Sequence, residues 1–195
     1  MARGRPRAFD TEGALDCALH MFWERGFEGT SVADLTEAMG INPPSLYAAF
    51  GNKEELFIKI LDRYAEGPAI YMREAFAKPT VREVVEGLLY GAAEATTNPA
   101  TPLGCLTVQG GISSGASGDA IKQELSARRA GGENALKERF EHAKINGEIP
   151  TDVNAEDLAS FYVTVFQGMA VQAGAGGSRE KLIRIATNAL RLWPS

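Results

Sequence analysis

Three patterns in the 195 residues could carry chemistry. The first is Gly111-Ile112-Ser113-Ser114-Gly115, which spells G-x-S-x-G, the turn that exposes a nucleophilic serine between a strand and a helix in acyl-transfer enzymes. No apolar strand precedes it, and neither His20 nor His142 stands in a recognisable acid-and-base arrangement, so no catalytic residue is expected and a serine hydrolase is kept only as an alternative. The second is the cysteine pair, Cys17 and Cys105. It forms no C-x-x-C and accompanies no H-E-x-x-H run, which argues against a disulfide framework, a metal site or a bound cofactor and for a reducing, cytoplasmic setting. The third is cationic: Arg3, Arg5 and Arg7 at the tip, Lys53 at the head of a helical stretch, and no carboxylate from Ala38 to Asn52. Side chains of that kind at such positions neutralise phosphates.

The overall charge argues the other way. The chain is net -5 with a pI near 5.2, and residues 1–64 alone hold seven Lys+Arg against ten Asp+Glu. A nucleic-acid reading therefore rests on where the charges sit rather than on their total.

The elements that must place these residues are helices. Leu15, Ala18, Leu19 and Phe22 recur at helical spacing behind a cap at Asp10 or Thr11, and Gly26 is positioned to stop the helix. Thr30 or Ser31 can cap a second helix through Leu35 and Met39, ended by Gly40. Asn42, Pro43 and Pro44 open a third from Ser45 to Phe50; because Pro44 disfavours a helical residue before it, Pro43 is expected as the cap. Asn52 caps a fourth helix carrying Leu56, Ile60, Leu61 and Tyr64, which Gly67 and Pro68 end or kink. A stripe from Val81 to Leu89 follows, then helices over Leu103 to Ile112, Asp119 to Asn146 with a soft spot at Gly131-Gly132, Ala155 to Ala173, and Arg179 to Trp193. Period-two alternation is absent, so the expected fold class is all-α. The uncharged runs Ala95 to Gly118 and Leu158 to Ser178 are broken by prolines, glycines and polar residues, and no membrane span is expected.

Two short helices joined through Gly40-Ile41-Asn42 read as a helix-turn-helix, whose second helix can enter a DNA major groove. Across Phe9 to Tyr64 the sequence resembles the TetR family of bacterial transcriptional regulators. The resemblance is carried by Ala18-Leu19, Phe22, Glu24-Arg25-Gly26-Phe27, Gly29-Thr30-Ser31-Val32, Leu35, Met39-Gly40, Ser45-Leu46-Tyr47, Phe50 and Lys53-Glu54-Glu55-Leu56. It implies a three-helix head over residues 1–52 and a helical ligand-binding and dimerisation region over 53–195. It further implies a homodimeric repressor on a palindromic double-stranded DNA operator, released when a small molecule binds the C-terminal region. Activation and ligand-independent regulation are the alternatives within the family.

By that resemblance Thr30 caps the second helix and touches a phosphate, with Ser31 beside it. Tyr47 meets the DNA backbone, and Lys53 adds its charge to a helix N-terminus. Pro43-Pro44 lack backbone donors and Ala48-Ala49 offer only methyl groups, so base reading leans on Asn42, Ser45, thymine methyls and DNA shape. Arg3, Arg5 and Arg7 are expected to reach an adjacent minor groove or to add nonspecific affinity. The ligand pocket is expected around Tyr90, Cys105, Leu106, Gln109, Phe140, Tyr162 and Phe166, and Cys105 is additionally a candidate thiol sensor, although no basic neighbour in sequence favours its thiolate. The Ala155 helix, apolar nearly all round, brings Ala159, Gly168, Ala170 and Ala173. Together with Leu182, Ile183, Ala186, Ala189, Leu190 and Trp193 of the last helix, it is expected to form a four-helix dimer interface.

Overall fold

The computed structural model describes residues 10–112 and 119–194. Among them lie ten helices and no strand: α1 (Thr11–Arg25), α2 (Val32–Met39), α3 (Pro43–Phe50), α4 (Lys53–Glu66), α5 (Ile70–Phe76), α6 (Val81–Ala95), α7 (Leu106–Ile112), α8 (Asp119–Ile145), α9 (Ala155–Gly174) and α10 (Arg179–Leu190). No described helix is long and apolar enough to cross a membrane.

Side-chain caps fix most of the boundaries. Asp10 accepts from the Gly13 N–H at 3.1 Å to start α1, and Asn52 with Glu55 forms a reciprocal capping box at α4. At α2 the box belongs to Ser31 and Asp34. Thr30 is not the cap: it is fully buried, and its hydroxyl donates to the Gly26 carbonyl at 2.8 Å, tying down the turn after α1. Pro43 is not a cap either. Asn42 is, through its Oδ1 on the Ser45 N–H at 2.9 Å, and Pro43 occupies the first helical position, where proline has no intrahelical bond to lose.

Other departures have local causes. Helix α5 has no counterpart in the sequence pattern because seven residues without a side-chain cap leave almost no periodic signal. Helix α7 begins at Leu106 rather than Leu103, since Gly104 takes φ +85°, and a Cβ there would stand 2.5 Å from Gln109 Nε2. Helix α8 runs straight through Gly131-Gly132, held on either side by buried Leu125, Leu136 and Phe140, and α10 stops at Leu190.

Two apolar clusters organise the chain. One joins Ala18, Phe22, Leu35, Leu46, Phe50 and Phe57 to Leu61, Tyr64, Leu106 and Leu125; the other joins Val84, Leu89, Phe140, Ala159, Tyr162, Leu182 and Ala186. The first runs across residues 52 and 53, so α4 is shared: Phe57 meets Phe22 and Phe27 edge-on at 4.9 and 5.2 Å inside the head, while Leu61 and Tyr64 reach the C-terminal helices. Ion pairs pin α4 from both sides, Arg63 to Glu12 (2.6 Å) and Asp16 (2.7 Å) of α1, and Asp62 to Arg128 (2.7 Å) of α8. Because the carboxylates are largely exposed, these pairs set geometry more than stability.

Most of the small residues expected at a dimer interface lie inside the protomer. Ala159, Ala170, Ala173, Leu182, Ala186, Ala189 and Leu190 are buried where α9 and α10 pack on each other and on α6. Trp193 packs on Phe140 and Tyr162 with ring centroids 6.0 and 5.8 Å away. The outward surface of α9 and α10 includes Gly168, Val171 and Ile183 together with polar Thr164, Gln172, Lys181, Arg184 and Asn188.

Candidate nucleic-acid interface and ligand cavity

Helix α3 stands on two buried anchors, Leu46 and Phe50, which turn Asn42, Pro43, Pro44, Tyr47, Ala48 and Ala49 outward with Ser45 half-buried beside them. Tyr47 is 51% exposed, high for a tyrosine with nothing to hold it, and among the described residues neither its hydroxyl nor that of Ser45 has a partner. At the next helix start, the Lys53 ammonium sits 4.1 Å from the centre of the Phe27 ring. That cation–π contact orients the charge without neutralising it. Lys59 carries no signal of its own in the sequence; its Nζ donates to the Phe50 carbonyl at 3.2 Å and so ties α4 to the end of α3.

The N-terminus of α2 is a poorer anion site than the resemblance implied. Thr30 is enclosed, which removes it as a phosphate contact. The Ser31 hydroxyl is held by Asp34 at 2.5 Å, and those Ser31 hydrogen bonds lower the Asp34 pKa below the ordinary carboxylate value. The Asp34 carboxylate therefore already takes up the Ser31 backbone N–H and hydroxyl that a phosphate would need. Arg3, Arg5 and Arg7 lie outside the described residues, as do Ser113, Ser114 and Gly115 of the serine motif. The residues leading into that motif form α7, a helix where a nucleophile turn requires a strand. His20 and His142 are both exposed, and no metal-binding group occurs among the described residues.

The C-terminal helices enclose a cavity of about 310 Å³ between Leu61 and Tyr64 of α4, Met72 and Phe76 of α5, Leu88 of α6, Thr107 and Val108 of α7, Arg128, Arg129 and Glu133 of α8, and Tyr162, Phe166 and Gln167 of α9. Of the residues expected at a pocket, Tyr162 and Phe166 line it. Leu106 and Phe140 are buried core outside its lining, and Tyr90 faces outward, its hydroxyl 3.2 Å from that of Thr187. Gln109 lies instead in an open groove with His20, Trp23 and Leu103. Cys105 is fully buried, its sulfur 3.1 Å from the Thr107 hydroxyl, outside the cavity lining. The sequence could not identify the α4, α5 and α8 contributions, because a cavity depends on which helix faces meet.

Two contacts join head and cavity. The Trp23 indole N–H of α1 donates to the Gly104 carbonyl at 3.3 Å, and the Trp23 ring meets Tyr64, a cavity-wall residue, edge-on at 4.9 Å.

Tyr162 has a buried hydroxyl with no hydrogen-bond partner, and burial pushes its pKa up to about 12. The neutral form is thus favoured in the fold, a contribution fully present below the unfolded tyrosine pKa and lost as pH rises from about 10 through about 12. Tyr162→Phe is expected to cost nothing at neutral pH, since it removes an unsatisfied buried group, and to shallow the loss of stability across that alkaline window. Denaturant melts by circular dichroism at pH 7 and pH 11 check it; an equally steep alkaline loss in the variant contradicts it.

Residues 14–60 match the family model described as bacterial regulatory proteins, tetR family, and residues 81–189 match one described as tetracyclin repressor-like, C-terminal domain. The HTH-type transcriptional repressor ComR of Escherichia coli (strain K12) is 38% identical over 195 residues, covering 99% of this chain and 93% of that protein. Among solved structures, a cysteine mutant of the TetR family transcriptional regulator CifR complexed with 26bp double-strand operator DNA is 42% identical, with a TM-score of 0.91 over 98% of this chain and 100% of that one. A putative TetR transcriptional regulator from Rhodococcus sp. RHA1 is 40% identical, with a TM-score of 0.64 over 95% and 100%.

Proposed function

Since the chain belongs to the tetR family of bacterial regulatory proteins, we propose that it is a cytoplasmic homodimeric repressor that binds a palindromic operator and lets go when a small molecule enters the α4–α9 cavity. The observation that carries the DNA-reading part is the outward face of α3, where an unpartnered Tyr47 hydroxyl and the oriented Lys53 ammonium flank a stretch free of carboxylates. Tyr47 and Lys53 hold phosphates; Asn42, through its free amide N–H, and Ser45 face base edges; Pro43, Pro44, Ala48 and Ala49 supply apolar contacts. Arg3, Arg5 and Arg7 add minor-groove or nonspecific contacts. The likeness to an operator-complexed relative over the full chain supports taking this arrangement of head and cavity as the DNA-competent one.

The functional division at residues 52 and 53 leaves α4 as the common part. A ligand that binds one arrangement of the cavity better than another moves α4 and Trp23, and with them the recognition helix. Two-fold DNA is strict about the separation of its two recognition helices, with half-sites about one helical turn (~34–36 Å) or a multiple of it apart. A coupling of about 1–3 kcal/mol changes operator affinity roughly 5- to 150-fold.

The test is a fluorescence titration of labelled DNA flanking the protein's own gene, at salt from about 50 to 200 mM. Wild type is expected to bind with a modest salt slope, and Lys53→Ala to flatten it by roughly 0.9 for each phosphate that the ammonium no longer neutralises. Tyr47→Ala with Lys53→Ala is expected to abolish specific binding while helicity and Tm stay unchanged. Unaltered affinity in the double variant would remove α3 and the start of α4 as the reading surface.

A further inference from the structure

We infer that the cavity takes an apolar monocarboxylate, its acid group on Arg129 and its hydrocarbon body among Leu61, Met72, Phe76 and Phe166. The inference rests on the ligand-responsive reading above and names the ligand's chemistry.

The two arginines on the cavity wall are not equivalent. Arg128 is held by two carboxylates, Asp62 and Glu124, both at 2.7 Å. Its neighbour Arg129 is half-buried, and among the described residues no carboxylate lies within ion-pair distance of it; one of its Nη atoms donates to the Thr107 carbonyl at 3.1 Å. Among the described residues its remaining N–H groups have no other hydrogen-bond partner. A partly desolvated guanidinium without a counter-ion is costly, and a ligand carboxylate supplies the missing charge with matching two-pronged geometry. Glu133, one turn further along α8, is the single carboxylate on the wall, and it already accepts the Ser160 hydroxyl. The rest of the surface is chiefly hydrocarbon and aromatic, which selects an apolar body over a sugar or a nucleotide.

Arg129 also has a second connection. The Thr107 carbonyl that it holds belongs to α7, three residues beyond Gly104, whose carbonyl receives the Trp23 N–H from the head. An acid that draws the guanidinium off Thr107 loosens the segment that grips α1, so the site that senses charge is joined to the head by two hydrogen bonds and one short helix.

The experiment uses the full chain and three eight-carbon probes, octanoate, octan-1-ol and octylamine, with calorimetry for binding and mobility shift for operator DNA. Octanoate is expected to bind at least tenfold tighter than either other probe and to weaken the DNA complex. Arg129→Met, which keeps the side chain's bulk but drops the Thr107 hydrogen bond, loses at least tenfold for octanoate, leaves octanol binding unchanged and, like the acid itself, weakens the DNA complex without abolishing it. Trp23→Phe, which keeps the aromatic contact but removes the indole donor, still binds octanoate and releases DNA less. The proposal is overturned if octanol or octylamine binds as well as octanoate, if Arg129→Met binds octanoate like wild type, or if octanoate does not bind at all. In each case an intact DNA shift leaves the repressor reading standing, whereas loss of the wild-type shift without any probe is the failure of that reading.

Discussion

Phe57→Ala is expected to destabilise the protein by about 3–5 kcal/mol, the usual cost of emptying a buried phenylalanine site. Phe57 is fully buried and touches Phe22 and Phe27 edge-on, so α1, the turn after it and α4 all lose a packing surface at once. For a chain of this size roughly 2–4 °C of Tm accompanies each kcal/mol, which puts the drop at about 6–20 °C. Operator affinity is expected to fall together with stability, because Lys53 is oriented by Phe27, and Phe27 leans on the ring that is removed. Thermal melts and a DNA titration on the same sample check both parts. A Tm loss under about 1 °C would mean that α4 is not packed into the head, contrary to the shared core.

Ile183→Asp is expected to split the proposed dimer without unfolding the protomer. Ile183 is 39% exposed on α10, and Val171, on α9, is 42% exposed. Gly168, one turn before Val171 on α9, is also exposed, and a Cβ there would meet nothing within 4 Å in the protomer. A carboxylate placed at Ile183 would be buried against its symmetry mate or an apolar face, which forbids association. Light scattering at micromolar concentration should read twice the mass of the 20.9 kDa chain for wild type and a single chain for the variant. DNA affinity should drop at least 100-fold, because in the proposed dimer each head relies on its partner to hold the second half-site. A wild type that is already monomeric would remove the dimer, and a dimeric variant would move the interface away from these helices.

The helical fold is legible in the sequence where one residue decides a boundary. Gly26, Gly40 and Asn52 do so through caps and positive φ angles whose chemistry is local. Legibility ends where two adjacent residues are locally equivalent. Thr30 and Ser31 are both good caps, and only the burial of Thr30 against the turn at Gly26 assigns the role to Ser31. The outward face of α3 follows from equally local logic: Leu46 and Phe50 fall at helical spacing and turn Tyr47 outward. The cavity is mostly illegible, because aromatic residues at helical spacing do not say what they face. Phe140 and Tyr162 stack on each other, yet only Tyr162 reaches the cavity. Arg129 carries no signal at all in sequence. It stands out only when Arg128, its neighbour, is seen to hold Asp62 and Glu124 while Arg129 holds no carboxylate among the described residues.

The most direct test of the central claim, that this chain reads a two-fold DNA site with α3 of both protomers, is a footprint on the DNA flanking its own gene. Two protected half-sites related by symmetry and centred about one helical turn or a small multiple apart, with Tyr47→Ala and Lys53→Ala erasing both together, is the predicted result. Protection of a single unpaired segment, or no protection at ~50 mM salt where phosphate contacts are strongest, would contradict it.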